Sequence, residues 1–491
     1  MCDGDGKITK KIILEPGRTF GEFSLLPGYT GKDCDIHTVS LETKLADDLV
    51  LGIPFLSAAM TSVTGYEMAL ALGMEGGLGV LPVRMLVSEQ VSIVERIKRH
   101  EMGFVENPDT AYDTQTIEQV LGKMDKHGHS KIPVVDRNNV FKGMFTRRHY
   151  WDVGGHPQAP VTEIMMPFDS DEKLLCHKRS NINIKTARKL LEDSESDYLV
   201  VLDGQSRLVK MAFAKDMKPI RVASAINTHR GWRKRVEANI DAGVDLIVID
   251  TSDAYGYFAE DVVVKKYKDM DTGVPICAGN LVTYDGALML MNAGADIIKV
   301  GMSSGSICTT QREKAVGRAP MTALIDVDEA RKRYYDNAGR YVPLIADGGI
   351  SSAGDMIIAL TVADAIMMGN YFNKFFEAAG DKLDEDGKVT RLESKMRNVI
   401  TYGEGSEEAR NLERYGHSDM MTFFPEGVSS TVDYAGFMKP SLKADALRIK
   451  AAMVNAGCMN LQELREESVI ELMSEYSKRI VTETHDIDTK R

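Results

Sequence analysis

Apolar and polar positions along the chain follow two alternating templates. Short, nearly continuous apolar runs, the pattern of strands buried on both faces, recur at Ile53–Ser57, Gly77–Leu81, Val222–Ile226, Asp245–Asp250, Pro275–Asn280, Asp296–Gly301, Leu344–Gly349 and Ala365–Gly369. Between them lie stretches of helical spacing, namely Gly65–Glu75 with Met68, Leu70 and Leu72, then Val87–His100, Gly231–Ala242 and Tyr284–Ala293. Strand, helix, strand in that order implies parallel pairing. A small repeat marks the junctions: Ala242-Gly243-Val244-Asp245, Ala293-Gly294-Ala295-Asp296 and Val362-Ala363-Asp364 each end a helix and open a strand, and Gly is the usual residue where a helix stops. Eight such units predict an α/β fold of the (β/α)8 TIM barrel type. A doubly wound sheet is the competing arrangement, but there is no single Gly-rich dinucleotide fingerprint to support it.

The pattern changes between about Gly103 and Ala223, where a helical stretch followed by strand, turn, strand occurs twice. The first copy runs Lys131-Ile132-Pro133-Val134-Val135-Asp136 and on to Thr146; the second runs Asp197-Tyr198-Leu199-Val200-Val201-Leu202-Asp203 and on to Ala214. The Asp-centred turn recurs about 67 residues apart, from Asp136 to Asp203, which makes this an internal repeat. The block resembles a tandem pair of cystathionine-beta-synthase (CBS) domains, with Val161–Pro167 as the entry to the second copy. That resemblance implies a regulatory purine nucleotide in the cleft between the copies. The ribose-holding Thr and Asp of the family are only half matched, by Thr146 with His149 in one copy and Ala214 with Asp216 in the other. The chain thus divides into residues 1–103 (an N-terminal arm and the first part of the barrel), 104–220 (the inserted pair) and 221–491 (the rest of the barrel, a segment of about 380–432 and a C-terminal segment).

Length and charge narrow the class. A chain of 491 residues with 43% hydrophobic and 27% charged residues is ordinary for a soluble protein of two or three units. A formal charge of -12 gives no general basic face for nucleic acid. The N-terminus lacks a secretory core and no run is long and apolar enough to span a bilayer, so the reading is cytoplasmic, with no membrane or nucleic-acid partner. The six cysteines are scattered without paired spacing, which fits reduced thiols rather than a zinc site or a disulfide framework.

The candidate chemistry sits where strands end. The apolar run from Ile297 to Val300 empties into Gly301-Met302-Ser303-Ser304-Gly305-Ser306-Ile307-Cys308-Thr309-Thr310, a thiol in a segment too polar for a core. Backbone N–H groups converging in such a loop would stabilise a thiolate. A lone cysteine is otherwise a small buried hydrophobe, and its position after a barrel strand decides between the two readings, because barrel active sites lie on the loops after the strands. Asp250-Thr251-Ser252, Gly279-Asn280, Asp347-Gly348-Gly349 and Gly369-Asn370 end other strands. Glycines after the seventh and eighth strands suit a phosphate, since backbone N–H groups reach its oxygens without a side chain in the way.

Gly301–Thr310, Asp347-Gly348-Gly349, Met367-Met368-Gly369, Tyr402–Ser406 and the inserted pair together resemble the IMP dehydrogenase/GMP reductase family over nearly the whole chain. The resemblance implies Cys308 as a nucleophile on the purine, with Thr310, Arg414, Tyr415 and Glu426 as further catalytic residues. It implies nucleotide contacts from Met60, Asn280, Ser306, Asp347, Gly348, Gly349, Met368, Gly369, Asn370, Tyr402, Gly403, Glu404, Gly405 and Glu426. Asp250, Thr251, Ser252 and Gly301 would face NAD, and a potassium ion (K+) would be held by Gly301, Ser303, Cys308 and, from a neighbouring subunit of a homotetramer, Glu483. The Arg414-Tyr415 pair matches the flap of the dehydrogenases, which enters the vacated dinucleotide site and activates water; it favours oxidation of IMP over reduction of GMP with NADPH. A non-catalytic purine nucleotide sensor is the reading from another class. The chain departs from common family patterns at Ser303 (usually Gly), Thr61 (often Asp), Ala58 (often Ser), Pro82-Val83-Arg84 and Glu404 (often Met).

Overall fold

The computed structural model describes residues 12–482, apart from 99, 101–102, 128, 169–174, 179, 195, 215–219, 304, 306–309 and 407–426. The chain forms two units, Met1–Lys98 with Ile220–Arg491 and Arg99–Pro219.

In the first unit eight strands close into a parallel barrel: β1 (Phe55–Ser57), β2 (Leu78–Leu81), β3 (Val222–Ile226), β4 (Leu246–Asp250), β5 (Ile276–Leu281), β6 (Ile297–Val300), β7 (Leu344–Asp347) and β8 (Ala365–Met368). This is the TIM barrel that the alternation predicts, and the closed order excludes the doubly wound sheet. Closure runs through β2 and β3, with Val222 opposite Gly79, so the second unit leaves and returns between neighbouring strands. Alternate residues face inward, and Leu56, Val80, Ala225, Val248, Cys277, Ile297, Ile345 and Met367 share one core. A hairpin, Thr43–Ala46 with Leu49–Leu51, adds Leu45, Leu49 and Leu51 to that core. It closes the end where strands begin, for Thr43 Oγ1 donates to the carbonyl of Asp364 just before β8.

The junction repeat has a structural meaning. Asp245, Asp296 and Asp364 each precede an even-numbered strand, and each carboxylate accepts from the first N–H of the strand before it: Val222 at 2.8 Å, Ile276 at 2.9 Å and Leu344 at 2.8 Å. Each is also paired with cations, Arg221 and Lys98 at Asp245, Lys268 and Arg340 at Asp296, Arg331 and Arg465 at Asp364. The aspartates thus clamp β3 to β4, β5 to β6 and β7 to β8 at their starts. Gly243 and Gly294, at φ 90° and 105°, make the left-handed turn that delivers two of them.

After β8, Lys382–Leu383, Asn398–Tyr402 and Ser429–Asp433 form a three-stranded antiparallel sheet, so both ends of the 380–432 segment are anchored. In the second unit two four-stranded sheets carry helices Ile117–His127 and Ile184–Asp193. Asn139 and Ser206 hold equivalent turn positions at φ 62° and 59°. Phe141 N donates to Ser206 O and Leu208 N to Asn139 O, both at 3.0 Å, so the two copies meet by reciprocal bonds. Thr146 caps its helix, accepting from His149 N at 3.1 Å.

Candidate active site

The C-terminal ends of the strands surround a cavity of about 380 Å³. Of the residues expected from the sequence, Met60, Asp250, Thr251, Ser252, Asn280, Gly301, Ser303, Thr310, Asp347, Gly348, Gly349, Met368, Gly369, Asn370, Gly403, Glu404 and Gly405 line it. Tyr402 precedes this lining; its backbone is tied to Ser62, whose hydroxyl donates to Tyr402 O at 3.0 Å. Ser306, Cys308, Arg414, Tyr415, Glu426 and Glu483 lie outside the described residues.

Parity along the strands puts Asp250, Lys299 and Asp347 in the inward layer nearest the cavity. Lys299 lies within the apolar run Ile297–Val300, yet its side chain is only 1% exposed and its Nζ donates to Asp347 Oδ2 at 2.8 Å, to Asp250 Oδ1 at 3.2 Å and to Asn280 Oδ1. Burial by itself would push this ammonium down; Asp347 and then Asp250 outweigh it and hold the lysine above its ordinary value of 10.5. Asn280 Nδ2 then donates to Asp347 Oδ2 at 2.9 Å and to Gly301 O at 2.8 Å, which ties the start of the cysteine loop to the cluster. A single charged residue inside a fully buried strand was the signal available in the sequence. Ala58, Ala59, Met302, Gly305, Ile350, Ser351 and Met367 also line the cavity and were not among the expected contacts.

The glycine pair after β7 takes φ 81° at Gly348 and 74° at Gly349, a backbone that side-chain-bearing residues rarely adopt. The following helix, Ala353–Leu360, has its N-terminus already occupied: Asp355 Oδ2 accepts from the amides of Ser351 and Ser352, both at 3.0 Å. An anion here would therefore meet the Gly348–Gly349 turn rather than the helix end. Gly369 faces Met60, whose Sδ would lie 2.8 Å from a Cβ at that position.

Across the cavity, Glu404 is 9% exposed and its Oε1 accepts from the amide and hydroxyl of Thr61. A carboxylate held this way is an acceptor for a ring N–H. Ser303 stands at φ 61°, the backbone that glycine would have supplied, and its hydroxyl donates to Val316 O at 2.9 Å.

A second cavity of about 290 Å³ adjoins the first through Asp250, Thr251 and Ser252. His229, Tyr257 and Phe258 line it, with Phe258 61% exposed. Exposed rings flanking a cavity offer flat apolar faces for stacking. Among the described residues no helix is long and apolar enough to cross a membrane.

The family model for the "IMP dehydrogenase / GMP reductase domain" matches residues 17–485. Inosine-5'-monophosphate dehydrogenase from Tritrichomonas foetus is 33% identical, covering 95% of this chain and 95% of that protein. The enzyme of that name from Aquifex aeolicus (strain VF5) is 31% identical, covering 94% of each. Among solved structures, a cysteine-to-alanine variant of GMP reductase from Trypanosoma brucei, in complex with guanosine 5'-monophosphate, superposes with a TM-score of 0.67 at 22% identity, covering 96% of this chain and 98% of that one.

Proposed function

The chain belongs to the IMP dehydrogenase/GMP reductase family of oxidoreductases, and from that premise we propose that it oxidises inosine 5'-monophosphate to xanthosine 5'-monophosphate with NAD. The observation that carries the reading is the cavity in which Asp347, the Gly348–Gly349 turn, Gly369, Glu404 and Thr310 converge beside the loop leading to Cys308. Asp347 accepts from the ribose hydroxyls, the two glycine loops take the phosphate, and Glu404 accepts from the purine N1–H. The Cys308 thiolate adds to carbon 2. Bound in the second cavity beside Asp250, Thr251 and Ser252, NAD would accept the hydride that leaves carbon 2. The resulting thioimidate is opened by water, with Thr310, Arg414, Tyr415 and Glu426 handling the proton, and the thiol departs as the product forms. The direction rests on Arg414-Tyr415 in the sequence and on the similarity to proteins named as dehydrogenases.

Carbonyls of Gly301, Ser303 and Cys308 suit a hard monovalent cation such as K+, although Gly301 O already accepts from Asn280; Glu483 of a neighbouring subunit in a homotetramer completes that set. The inserted pair is read as a CBS-type regulatory unit for a purine nucleotide. The test is direct: IMP with NAD, followed by reduced dinucleotide, beside GMP with NADPH, followed by its loss. Turnover in the second mixture alone would make the chain a reductase, and nucleotide binding with no turnover in either would make it a sensor. Arg414→Ala should leave hydride transfer intact and let the covalent adduct accumulate.

A further inference from the structure

We propose that Lys299 is a positioning residue that sets, through one buried ammonium, the acceptor groups of both halves of the site: Asp347 toward the nucleotide and Asp250 toward the second cavity. The inference rests on the two-cavity reading above and goes beyond it, since Lys299 touches neither ligand. An ammonium has three N–H donors, and all three acceptors it needs are supplied by Asp347, Asp250 and Asn280. These come from β7, β4 and β5, so the lysine on β6 joins four of the eight strands at the level where the cavity begins. It has no donor left for a substrate, and therefore it acts through its partners.

The ammonium also decides the orientation of Asn280. A lysine can only donate, so the atom facing it is the amide oxygen, and Nδ2 must then point to Asp347 and Gly301. The same ammonium thus holds the sugar-facing and the dinucleotide-facing carboxylates directly, and the first carbonyl of the cysteine loop through Asn280. The fit is close: a Cβ at Gly279 would lie 2.6 Å from Lys299 Cβ, so glycine on β5 is what lets this side chain cross. Removing the positive charge leaves two half-buried carboxylates, 14% and 18% exposed, without the ammonium they share, and like charges there repel with reduced screening. They would separate, and both subsites would lose their geometry together.

The test uses the whole 491-residue chain. Wild type is first assayed with IMP and NAD and with GMP and NADPH, and whichever pair turns over is carried forward; a reductase result would overturn the proposed direction and leave the Lys299 test standing. Lys299→Met should raise the KM for the nucleotide and for the dinucleotide together, each by roughly 10-fold or more, the loss expected when a buried charged partner is removed. The double variant with Asp250→Asn, which restores the charge balance, should recover part of the nucleotide affinity measured by calorimetry. If Lys299→Met does not fold, Lys299→Arg keeps the charge but presents a planar fork in place of three converging donors, and should fold with both KM values raised by about threefold or more. Wild-type KM values for both ligands in either folded variant would overturn the proposal, as would a lowered melting temperature with unchanged affinities and no recovery in the double variant.

Discussion

Thr61 gives two hydrogen bonds to one oxygen of Glu404, from its amide at 2.5 Å and from its hydroxyl at 2.8 Å. These are two of the positions at which the sequence departs from common family patterns, and in the fold they touch. In this chain the acid of the pair is Glu404 and Thr61 is a neutral donor, so the contact holds one carboxylate at that edge of the cavity. Thr61→Asp should therefore set two carboxylates against each other and weaken nucleotide binding by roughly 10-fold or more. Thr61→Asp with Glu404→Met should recover most of it, and a double variant as weak as the single one would break the link.

Backbone geometry separates two positions that look alike. At Gly349, φ 74°, an alanine Cβ costs about 1–2 kcal/mol, so Gly349→Ala should melt lower and bind nucleotide less well. At Ser303, φ 61°, the change to glycine removes about 1–2 kcal/mol of strain. It also loses the bond to Val316 O, about 1 kcal/mol, and adds roughly 0.4–1 kcal/mol of unfolded-chain entropy. These nearly cancel. Thermal melts should place Ser303→Gly within about 1 kcal/mol of wild type, while Ser303→Val should lose stability clearly.

The described cysteines should be poor nucleophiles. Burial pushes Cys277 up to about 12 and Cys176 and Cys458 to about 11, and raises Cys34 as well. At pH 8 about one in 10³ or fewer of the first three would be thiolate. Iodoacetamide followed by peptide mapping should leave these four unmodified, label Cys308, and label it more slowly when IMP is present. Fast labelling of Cys277 in the folded protein would contradict the buried environment.

Lys299 gives a pH prediction with a definite sign. Its folded value lies above the ordinary 10.5, so its contribution is fully present below 10.5 and is lost only as pH rises through the higher folded value. The stability difference between wild type and Lys299→Met should stay constant from pH 7 to 10. A difference that shrinks within that window would mean the ammonium deprotonates there.

All eight barrel strands belong to the first unit. Lys98 Nζ donates to Ile220 O at 3.0 Å, so the two ends of the chain around the insertion lie side by side. Replacing residues 99–219 by a short linker should leave a folded barrel with turnover within about threefold, because closing a short connection costs little. Loss of soluble protein would show that the insertion is needed for folding.

The eight strands were legible because a strand buried on both faces must be apolar throughout, and that leaves a mark in the sequence. The aspartates that open β4, β6 and β8 were visible as a repeat, yet their work as clamps on the preceding strands was not, since the N–H groups they accept from lie about 20 residues away. Lys299 was hidden for the opposite reason. One charge among isoleucines and valines does not interrupt an apolar run, and its partners come from three other strands. His229 in the second cavity carried no local signal either, being a lone histidine in a loop.

By itself the sequence determined the alternation, the repeated unit between the strands and the chemical character of each loop, because periodicity and residue type are local properties. Only the tertiary structure decided which charges meet. The barrel brings Asp250, Asn280 and Asp347 onto one ammonium and Thr61 onto Glu404. Those pairings depend on closure and on the inward parity of each strand, and a linear chain records neither.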